Sequence, residues 1–355
     1  MRHALRIRIS IGCWLLGLLL SGPAATAQLG GQRAFSFLTL PPSAKLAGLG
    51  SANVSSRDAD VTMLYGNPAL LNEQMDGRLS LTYIDYLSDI KQSTATYVHN
   101  SDRLGRLGFG LTYLNYGRFE QFDAAGNPLG EFSVNEYALG VTKSVTTGPF
   151  TMAGTAKLAV SGIAGNHALG ALLDAGGLFK HPEKDFTVGL VIKNLGYQFK
   201  PYSGSDREPL PLDVQIGASI KPEHMPLRMS ITAHNLQQFD IVYLDSTQRG
   251  TLDENNEEQK PKKSVGDKIA RHFVVGGELI LSKNFNVRIG YNHLRRRELR
   301  LDTSSAGAGL SFGLTFRLSQ FQLDYTRAYY HASGASNYFT LSRSLASIFQ
   351  KEPGS

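Results

Sequence analysis

The 355-residue sequence has a single cysteine, Cys13, and a single tryptophan, Trp14, and only 19% of its residues are charged. One cysteine cannot form an internal disulfide, so a disulfide framework is excluded. The chain also lacks repeated apolar runs of the roughly 20 residues that membrane-spanning helices need, which excludes a polytopic helical membrane protein. The mean hydropathy of −0.17 agrees with this. The hydrophobic fraction of 42% is too high for a disordered chain.

The first 27 residues have the three-part pattern of a secretory signal peptide. The apolar stretch Ile9–Leu20 is too short to span a membrane comfortably, and Ala25–Ala27 fits a small-x-small cleavage site. A lipoprotein signal at Cys13 fits poorly, because most of the apolar stretch follows that cysteine. The positively charged start contains Arg2, Arg6 and Arg8. We therefore predict a signal peptide over residues 1–27, cleavage after Ala27, and export.

Cleavage would change the charge and the chemistry available to the chain. It removes three arginines and no acidic residue, so the net charge falls from +6 to +3. A nearly neutral chain gives no reason to expect nucleic acid as a partner. Loss of Cys13 also excludes thiol catalysis and cysteine-ligated zinc.

From about Arg78 onward, the sequence repeats segments in which apolar residues alternate with small or polar ones. The clearest segment places five apolar side chains on one face: Leu310, Phe312, Leu314, Phe316 and Leu318. Glycine, serine, threonine and arginine take the positions between them. A period of two predicts strands with one apolar face.

Fourteen such segments are present, an even number that suits an antiparallel transmembrane barrel. They begin near Arg78, Ser93, Gly105, Asn135, Phe150, Ala168, Asp185, Pro211, Leu227, Lys268, Phe285, Ala306, Phe321 and Asn337. The sixth, Ala168–Lys180, is the least regular. We predict an all-β fold, a fourteen-stranded antiparallel transmembrane β-barrel over residues 78–349, with a C-terminal tail at 350–355.

A soluble β-sandwich, or a pair of them, is the competing interpretation, because its inward faces also alternate. Alternating short and long connections favour the barrel. The longer connections include Gly117–Val134, Gly196–Leu210 and Gln237–Asp267, and their phase predicts periplasmic termini and extracellular long loops in an outer membrane.

The two strand faces differ in a way that also suits a barrel. Tyrosines near strand ends would form the interfacial girdles. The face opposite the apolar one is rich in glycine, serine and threonine, which predicts a polar and roomy lumen. It also carries Lys157, Asp174, Lys193, Asp213, Arg228, Glu278, Arg288, Arg317 and Asp324.

The region before the first strand, residues 28–77, has no strand pattern and is the right size for a hatch or plug inside a wide barrel. Asn67-Pro68 is a turn signal within it. A periplasmic linker is the alternative interpretation of this region.

Residues of this region and of the strands up to about Leu236 resemble the PorV/PorQ family of outer-membrane proteins of the type IX (Por) secretion system of Bacteroidetes, with PorQ the nearer of the two. The resemblance is carried by Phe35–Pro41, Ser43–Gly50, Asp58, Asp60, Asn67–Leu71, Tyr113–Gly117, Gly130–Ser133 and Leu190–Gly196. It departs from the family at Lys45 and Ser51, where Arg and Gly would be expected, and it thins after about Leu236.

The resemblance implies an architecture like that of the fatty-acid transporter FadL, a fourteen-stranded barrel with a hatch turn at Asn67, Pro68 and Ala69. It implies a non-enzymatic component of the cell-surface attachment complex, which anchors a surface protein of the PorZ type beside PorU and PorV-like components. Cargo of that complex is processed and joined to lipopolysaccharide. The family has no catalytic residues to transfer and no cofactor.

The sequence offers little other chemistry. The histidines show no metal-ligand spacing, and we predict no catalytic and no metal site. The basic run Arg295, Arg296 and Arg297, with Arg300 nearby, predicts contact with lipid A phosphate or an acidic partner, or else a solvated loop.

Two function classes remain for such a barrel. The favoured one is a docking barrel whose outer loops 117–134, 196–210 and 237–267 hold the surface partner. The alternative is a FadL-like channel for hydrophobic small molecules, which needs an apolar pocket near the hatch.

Overall fold

A computed structural model describes residues 33–86, 88–163, 165–202, 204, 206–242, 251–252, 258–259, 264–298, 307–331 and 334–345. The predicted signal peptide at 1–27, Arg300 and the tail at 350–355 lie outside the described residues. Within the described ranges, fourteen antiparallel strands close into one barrel, which confirms the predicted fold class.

Each barrel strand pairs with its neighbours in sequence, and the last strand closes the barrel by pairing with the first, Arg78 opposite Ser344. The barrel strands are β1 Arg78–Asp85, β2 Lys91–Ser101, β3 Gly105–Phe122, β4 Pro128–Thr147, β5 Phe150–Ile163, β6 Asn166–Lys180, β7 Phe186–Lys200, β8 Asp213–Ile220, β9 Leu227–Ala233, β12 Phe273–Ile280, β13 Phe285–Asn292, β14 Leu310–Leu318, β15 Phe321–His331 and β16 Gly334–Ser344. Between β9 and β12, β10 Thr251–Leu252 and β11 Glu258–Gln259 form a separate two-stranded ribbon.

Several strand boundaries differ from the predicted ones. The connection predicted as a long loop over Gly117–Val134 is mostly strand, because β3 continues to Phe122 and β4 begins at Pro128 instead of near Asn135. A register shift after Asn115, next to the left-handed Gly117, interrupts the alternation and hides this extension in the sequence.

Two other predicted strand starts are too early. The tenth predicted strand, β12, starts at Phe273 and not near Lys268, since residues 265–270 form a short helix. The β14 strand starts at Leu310 and not near Ala306, because the chain turns at 307–309.

The apolar strand face is the exposed one, and the polar face is buried. On β1, for example, Leu81 is 51% exposed while the adjacent Thr82 is 4% exposed. Apolar side chains are exposed on other strands of the barrel as well, among them Leu111, Leu158, Ile231, Val275 and Ile289. A soluble sandwich buries its apolar face, so this surface is that of a barrel surrounded by lipid.

Residues 33–77, called the hatch below, lie inside the barrel. Helix α1, Ala44–Gly48, begins at Ser43, whose hydroxyl accepts the Leu46 N–H, and it packs against β13 to β16. The turn Val61–Tyr65 contacts β1 and β2, and the turn Pro68–Leu70 contacts β4, β5 and β6. Hatch residues such as Phe37, Leu46, Met63 and Leu70 are fully buried.

The lumen is therefore filled and not roomy, which corrects the expectation drawn from its many glycines. Those glycines are where the hatch backbone touches the wall. A Cβ on Gly189 would lie 2.1 Å from the carbonyl oxygen of Val54, and one on Gly290 would lie 2.1 Å from the Gly50 nitrogen. The absence of side chains at these wall positions lets the two backbones meet.

Two short helices lie in the connections at the end of the barrel that carries the long loops, called the long-loop end below. They are α2, Val265–Ala270, and α3, His293–Glu298. No helix among the described residues is long and apolar enough to cross a membrane.

Candidate functional site

Six charged side chains, four of them buried and two half-buried, lie where the hatch meets the barrel wall, and we call them the lumen ion network: Lys45, Asp58, Arg228, Glu278, Arg288 and Asp324. Cross-strand pairing aligns Arg228, Glu278 and Arg288 in one row on β9, β12 and β13. Arg288 is fully buried and contacts Glu278 at 2.9 Å and Asp324 at 2.9 Å.

The hatch completes this network. Asp58 lies 3.5 Å from Arg228, which also contacts Glu278 at 3.1 Å, and Lys45 pairs with Asp58. Three positive and three negative groups balance one another within the network, and the exposed Asp185 lies a further 3.6 Å from Arg228. Buried charges cost several kcal/mol each unless they are paired, so the network fixes the position of the hatch instead of adding much net stability.

A second polar cluster holds a bulge in the wall between β6 and β7. Asp174 lies 2.7 Å from the Lys157 ammonium and accepts the Asn194 N–H at 2.7 Å. Asn194 has a left-handed φ of 61° and donates its amide to the Pro211 carbonyl at 3.0 Å. Beyond this point β7 no longer pairs with β8, so the cluster marks where β7 leaves the closed wall.

A cavity of about 360 Å³, called the vestibule below, lies between the hatch and the loops at the long-loop end. Its lining is mixed and polar, with Lys193, Asp213, His234 and Arg295 among its residues. Burial lowers the pKa of His234 to about 4, so this histidine is neutral at neutral pH. Among the described residues, Lys193 forms no ion pair and no hydrogen bond, and its ammonium group is therefore available to a ligand.

A smaller, more apolar pocket adjoins the vestibule. It is lined by Phe37, Leu38, Leu40, Leu64 and Tyr65 of the hatch, and it shares Lys193 with the vestibule. The smaller pocket has a volume of about 60 Å³ and also reaches Lys157 and Asp174, so the two spaces adjoin, polar at the long-loop end and more apolar beside the hatch.

Helices α2 and α3 are tied together by Asp267, and we call this contact the loop clasp. The Asp267 carboxylate accepts from Arg271 at 2.9 Å and from Arg297 at 2.6 Å, and it lies 3.6 Å from His293. Burial alone would raise its pKa, but the hydrogen bonds and charges of Arg271 and Arg297 outweigh this and lower the pKa to about 2. The clasp is therefore fully ionised at neutral pH.

The predicted basic run Arg295–Arg297 lies in α3, where its side chains contact other parts of the protein. Arg295 donates to the Ser51 hydroxyl at 2.5 Å and stacks over the Tyr330 ring at 4.2 Å, so it faces the hatch. Arg297 belongs to the loop clasp, and Arg296 packs beside Gly309. Contact of these residues with lipid A stays a prediction, and Arg300 lies outside the described residues.

The predicted hatch turn Asn67, Pro68 and Ala69 is buried against the wall. The Asn67 side chain accepts the Ala69 N–H at 2.9 Å and donates to the carbonyls of Val54 at 3.0 Å and Gly177 at 3.2 Å. This one side chain therefore closes the turn, joins it to another part of the hatch and binds it to β6.

The predicted docking loops are only partly loops. Residues 118–122 and 128–133 form a hairpin, the 196–210 connection starts as strand up to Lys200, and the 237–267 connection enters α2. Much of that last connection lies outside the described residues.

The loop clasp and the roles of Lys45 and Ser51 were not predicted from the sequence. Both of these hatch positions depart from the family pattern, and both make polar contacts that tie the hatch in place. Arg228, Glu278 and Arg288 lie directly opposite one another on three neighbouring strands. Such a row of lumen charges is the sequence signal that could have indicated charged residues in the hatch. In the part of the chain that the structure describes, no group of three His, Cys, Asp or Glu side chains could hold a metal ion.

The closed antiparallel wall, its lipid-facing apolar surface and its internal hatch define the class of this protein: a plugged β-barrel of the outer-membrane type. No family model and no curated protein matches the chain.

Solved structures similar to it include the toluene transporter TbuX of Ralstonia pickettii, at 11% identity, 88% coverage of this chain, 100% of that chain and a TM-score of 0.47. A FadL homologue of Pseudomonas aeruginosa has 12% identity, coverages of 86% and 97% and a TM-score of 0.46. A deltaS2 mutant of the monoaromatic hydrocarbon channel TodX has 11% identity, coverages of 86% and 97% and a TM-score of 0.45. Likenesses of this degree assign no substrate to the chain.

Proposed function

We propose that this protein is a docking barrel of the outer membrane, with its long loops outside the cell and both termini in the periplasm. It anchors a surface protein of the PorZ type in the attachment complex of a type IX secretion system, beside PorU and PorV-like components. Lipopolysaccharide is the acceptor of the cargo that this complex delivers. The resemblance of the hatch residues to the PorV/PorQ family supports the assignment to this system.

The observation that carries the docking role is an anchored hatch beneath a long-loop end whose described part contains the β3–β4 hairpin and the loop clasp. The Asp58–Arg228 ion pair at 3.5 Å and several buried hydrogen bonds hold the hatch against the wall, among them the one from Thr187 to the Ser55 carbonyl at 2.6 Å. A platform gains a rigid base from a hatch held in this way, whereas a passage must release its hatch to let a solute through.

The hairpin at the end of β3 and β4 is the most prominent part of the proposed platform. Past Asn115 and before Val134, these strands pair only with each other, because pairing with β2 and β5 has ended. Phe119 and Phe132 stack with ring centroids 5.4 Å apart, and Phe119 remains 42% exposed. Exposed aromatic side chains of this kind are typical anchors of protein interfaces.

The docking role can be tested by co-purification from outer membranes in mild detergent. We expect the full chain to retain a surface protein, and replacement of residues 118–133 by Asn-Gly to lower its recovery at least tenfold. The matched control replaces the short turn 102–104, at the opposite end of the barrel, by the same dipeptide. Heat-modified migration on a gel shows that each variant is folded.

A folded variant that lacks residues 118–133, 201–210 and 247–265, yet still retains the surface protein, would rule out docking through this end. Recovery of a partner unrelated to a type IX secretion complex would instead leave docking in place and remove the assignment to that system.

The adjoining vestibule and apolar pocket favour a second candidate, a FadL-like channel for hydrophobic small molecules. A polar entrance with the unpaired Lys193, followed by Phe37, Leu38 and Leu40, suits an amphipathic ligand. Uptake of a labelled fatty acid by cells with and without the protein tests this candidate, which requires lower uptake in the deletion strain and in a Leu40→Arg variant.

A further inference from the structure

Six adjacent strands, from β15 through β16 and β1 to β4, place their outward side chains in level rows. Cross-strand pairing gives one row that is mainly aromatic: Tyr325, Phe339, Tyr83, Ser93, Tyr113 and Tyr137. The next row toward the long-loop end is polar: Arg327, Asn337, Asp85, Lys91, Asn115 and Asn135. The next row in the other direction is apolar: Leu323, Leu341, Leu81, Ala95, Leu111 and Leu139.

These rows locate the membrane boundary on this side of the barrel. Two tyrosine hydroxyls of the aromatic row donate hydrogen bonds to asparagine side chains of the polar row. Tyr325 donates to Asn337 at 2.9 Å, and Tyr113 donates to Asn135 at 2.8 Å. Aromatic rings with their polar ends toward the headgroups are the usual interfacial girdle of a transmembrane barrel. The apolar row below them therefore lies at the level of the acyl chains.

Strand β2 interrupts both the aromatic and the apolar row. It contributes Ser93 where its neighbours carry Tyr83 and Tyr113, and Ala95 where they carry Leu81 and Leu111. The two small side chains leave an outward groove of about 420 Å³ along β2, with these larger side chains as its walls. This volume lies within the ~300–1,000 Å³ range of small-molecule sites.

A cationic side chain stands at the headgroup end of this groove. Lys91 lies on the same face of β2 as Ser93, two residues further toward the polar row, a rise of roughly 7 Å. It is exposed, and among the described residues it forms no hydrogen bond or ion pair. Asp85 is its cross-strand neighbour but is not within ion-pair distance, and Arg327 lies beyond it in the same row.

We infer that this groove is a lipid-binding site, in which one acyl chain lies over Ser93 and Ala95 and the headgroup phosphate binds Lys91. The groove opens to the hydrocarbon layer, so an acyl chain fits it better than any water-soluble ligand does. An unpaired ammonium at the height of the headgroups is complementary to a lipid phosphate. The site is separate from the vestibule and from the basic residues of α3, and it does not depend on the docking role.

Native mass spectrometry of the full chain in mild detergent tests this inference. The probes are phosphatidylglycerol and a diacylglycerol with the same acyl chains, which lacks the phosphate. Ala95→Leu and Ser93→Leu fill the groove from two positions, and we expect each to lower the retained phosphatidylglycerol at least fivefold. Ala175→Leu, at an exposed outward position of β6, is the matched control and should leave retention unchanged.

A separate variant, Lys91→Gln, tests the proposed contact between the Lys91 ammonium and the lipid phosphate. We expect Lys91→Gln to lower phosphatidylglycerol retention to the level of diacylglycerol, without changing diacylglycerol retention itself. Equal retention in the groove-filling variants and in Ala175→Leu would overturn the site, provided that all variants show heat-modified migration. A protein dimer that forms in place of the lipid adduct and disappears in Ala95→Leu would also overturn it, because the groove would then hold a second copy of the chain.

Discussion

Gly176 and Gly177 are neighbours on β6, yet they face opposite sides of the barrel wall. A Cβ on Gly176 would lie 2.1 Å from the Asn67 side-chain oxygen and 3.0 Å from the Pro68 ring, whereas a Cβ on Gly177 would meet nothing within 4 Å. The pair therefore separates the effect of the hatch contact from the general effect of replacing a strand glycine.

We expect Gly176→Ala to destabilise the barrel by about 1–3 kcal/mol, because the added methyl group overpacks the buried hatch turn. Gly177→Ala should stay within about 0.5 kcal/mol of the original chain. The urea midpoint of heat-modified migration measures both. Equal midpoints for the two variants would show that Asn67 does not bind the wall at this position.

For the charged side chains of the lumen, the sequence predicts which way they face but not which hatch residues they contact. The alternation of β9, β12, β13 and β15 places Arg228, Glu278, Arg288 and Asp324 on the polar face, and the structure confirms that they face the lumen. Their partners in the hatch, Lys45 and Asp58, could not be predicted. Those contacts depend on how a separate segment folds into the barrel, and no local pattern encodes that.

At the scale of whole elements, strands were predictable where the alternation is unbroken. The sixth strand is a continuous strand, Asn166–Lys180, although its alternation is the least regular. The hairpin of β3 and β4 was missed because Gly117, at a φ of 89°, shifts the faces of the residues that follow it. Helix α2 was missed because six residues are too few for a helical period to stand out.

The loop clasp makes a prediction about pH. The pKa of Asp267 is about 2 in the folded protein, below its ordinary value of 3.8, because Arg271 and Arg297 outweigh the effect of burial. Its contribution to stability is therefore present above about pH 4 and is lost as the pH falls toward 2. A nitroxide label at Ser264→Cys should stay immobile from pH 7 to pH 4 and become mobile below that.

The matched variant for the clasp is Asp267→Asn, which keeps the shape of the side chain but removes its charge. It should make the same label mobile already at pH 7. A label that stays immobile in Asp267→Asn at pH 7 would contradict the proposed role of Asp267.

At the scale of the whole molecule, the sequence predicted the barrel, and the structure adds how the barrel is filled. The glycine-rich face that suggested a roomy lumen is the surface on which the hatch rests. Composition alone cannot separate an empty polar lumen from one that is filled by another part of the chain, because both favour small and polar wall residues.

A docking platform and a channel place opposite demands on this hatch. A platform can keep the hatch fixed through its working cycle, whereas a channel must move it to let a solute pass. Ser55 of the hatch and Ser219 of β8 have their hydroxyl oxygens 2.7 Å apart, and both side chains are buried. Since Cys13 is the only cysteine in the sequence, a disulfide introduced at these two positions has no competitor once Cys13→Ser is included.

The decisive measurement is the amount of surface partner that co-purifies with the Ser55→Cys/Ser219→Cys variant before and after reduction, with the two single-cysteine variants as controls. We expect equal amounts in the oxidised and reduced states, because docking uses the long-loop end and does not require the hatch to move. A loss of partner on oxidation that reduction restores would contradict the proposal and show that the hatch must move for the protein to work.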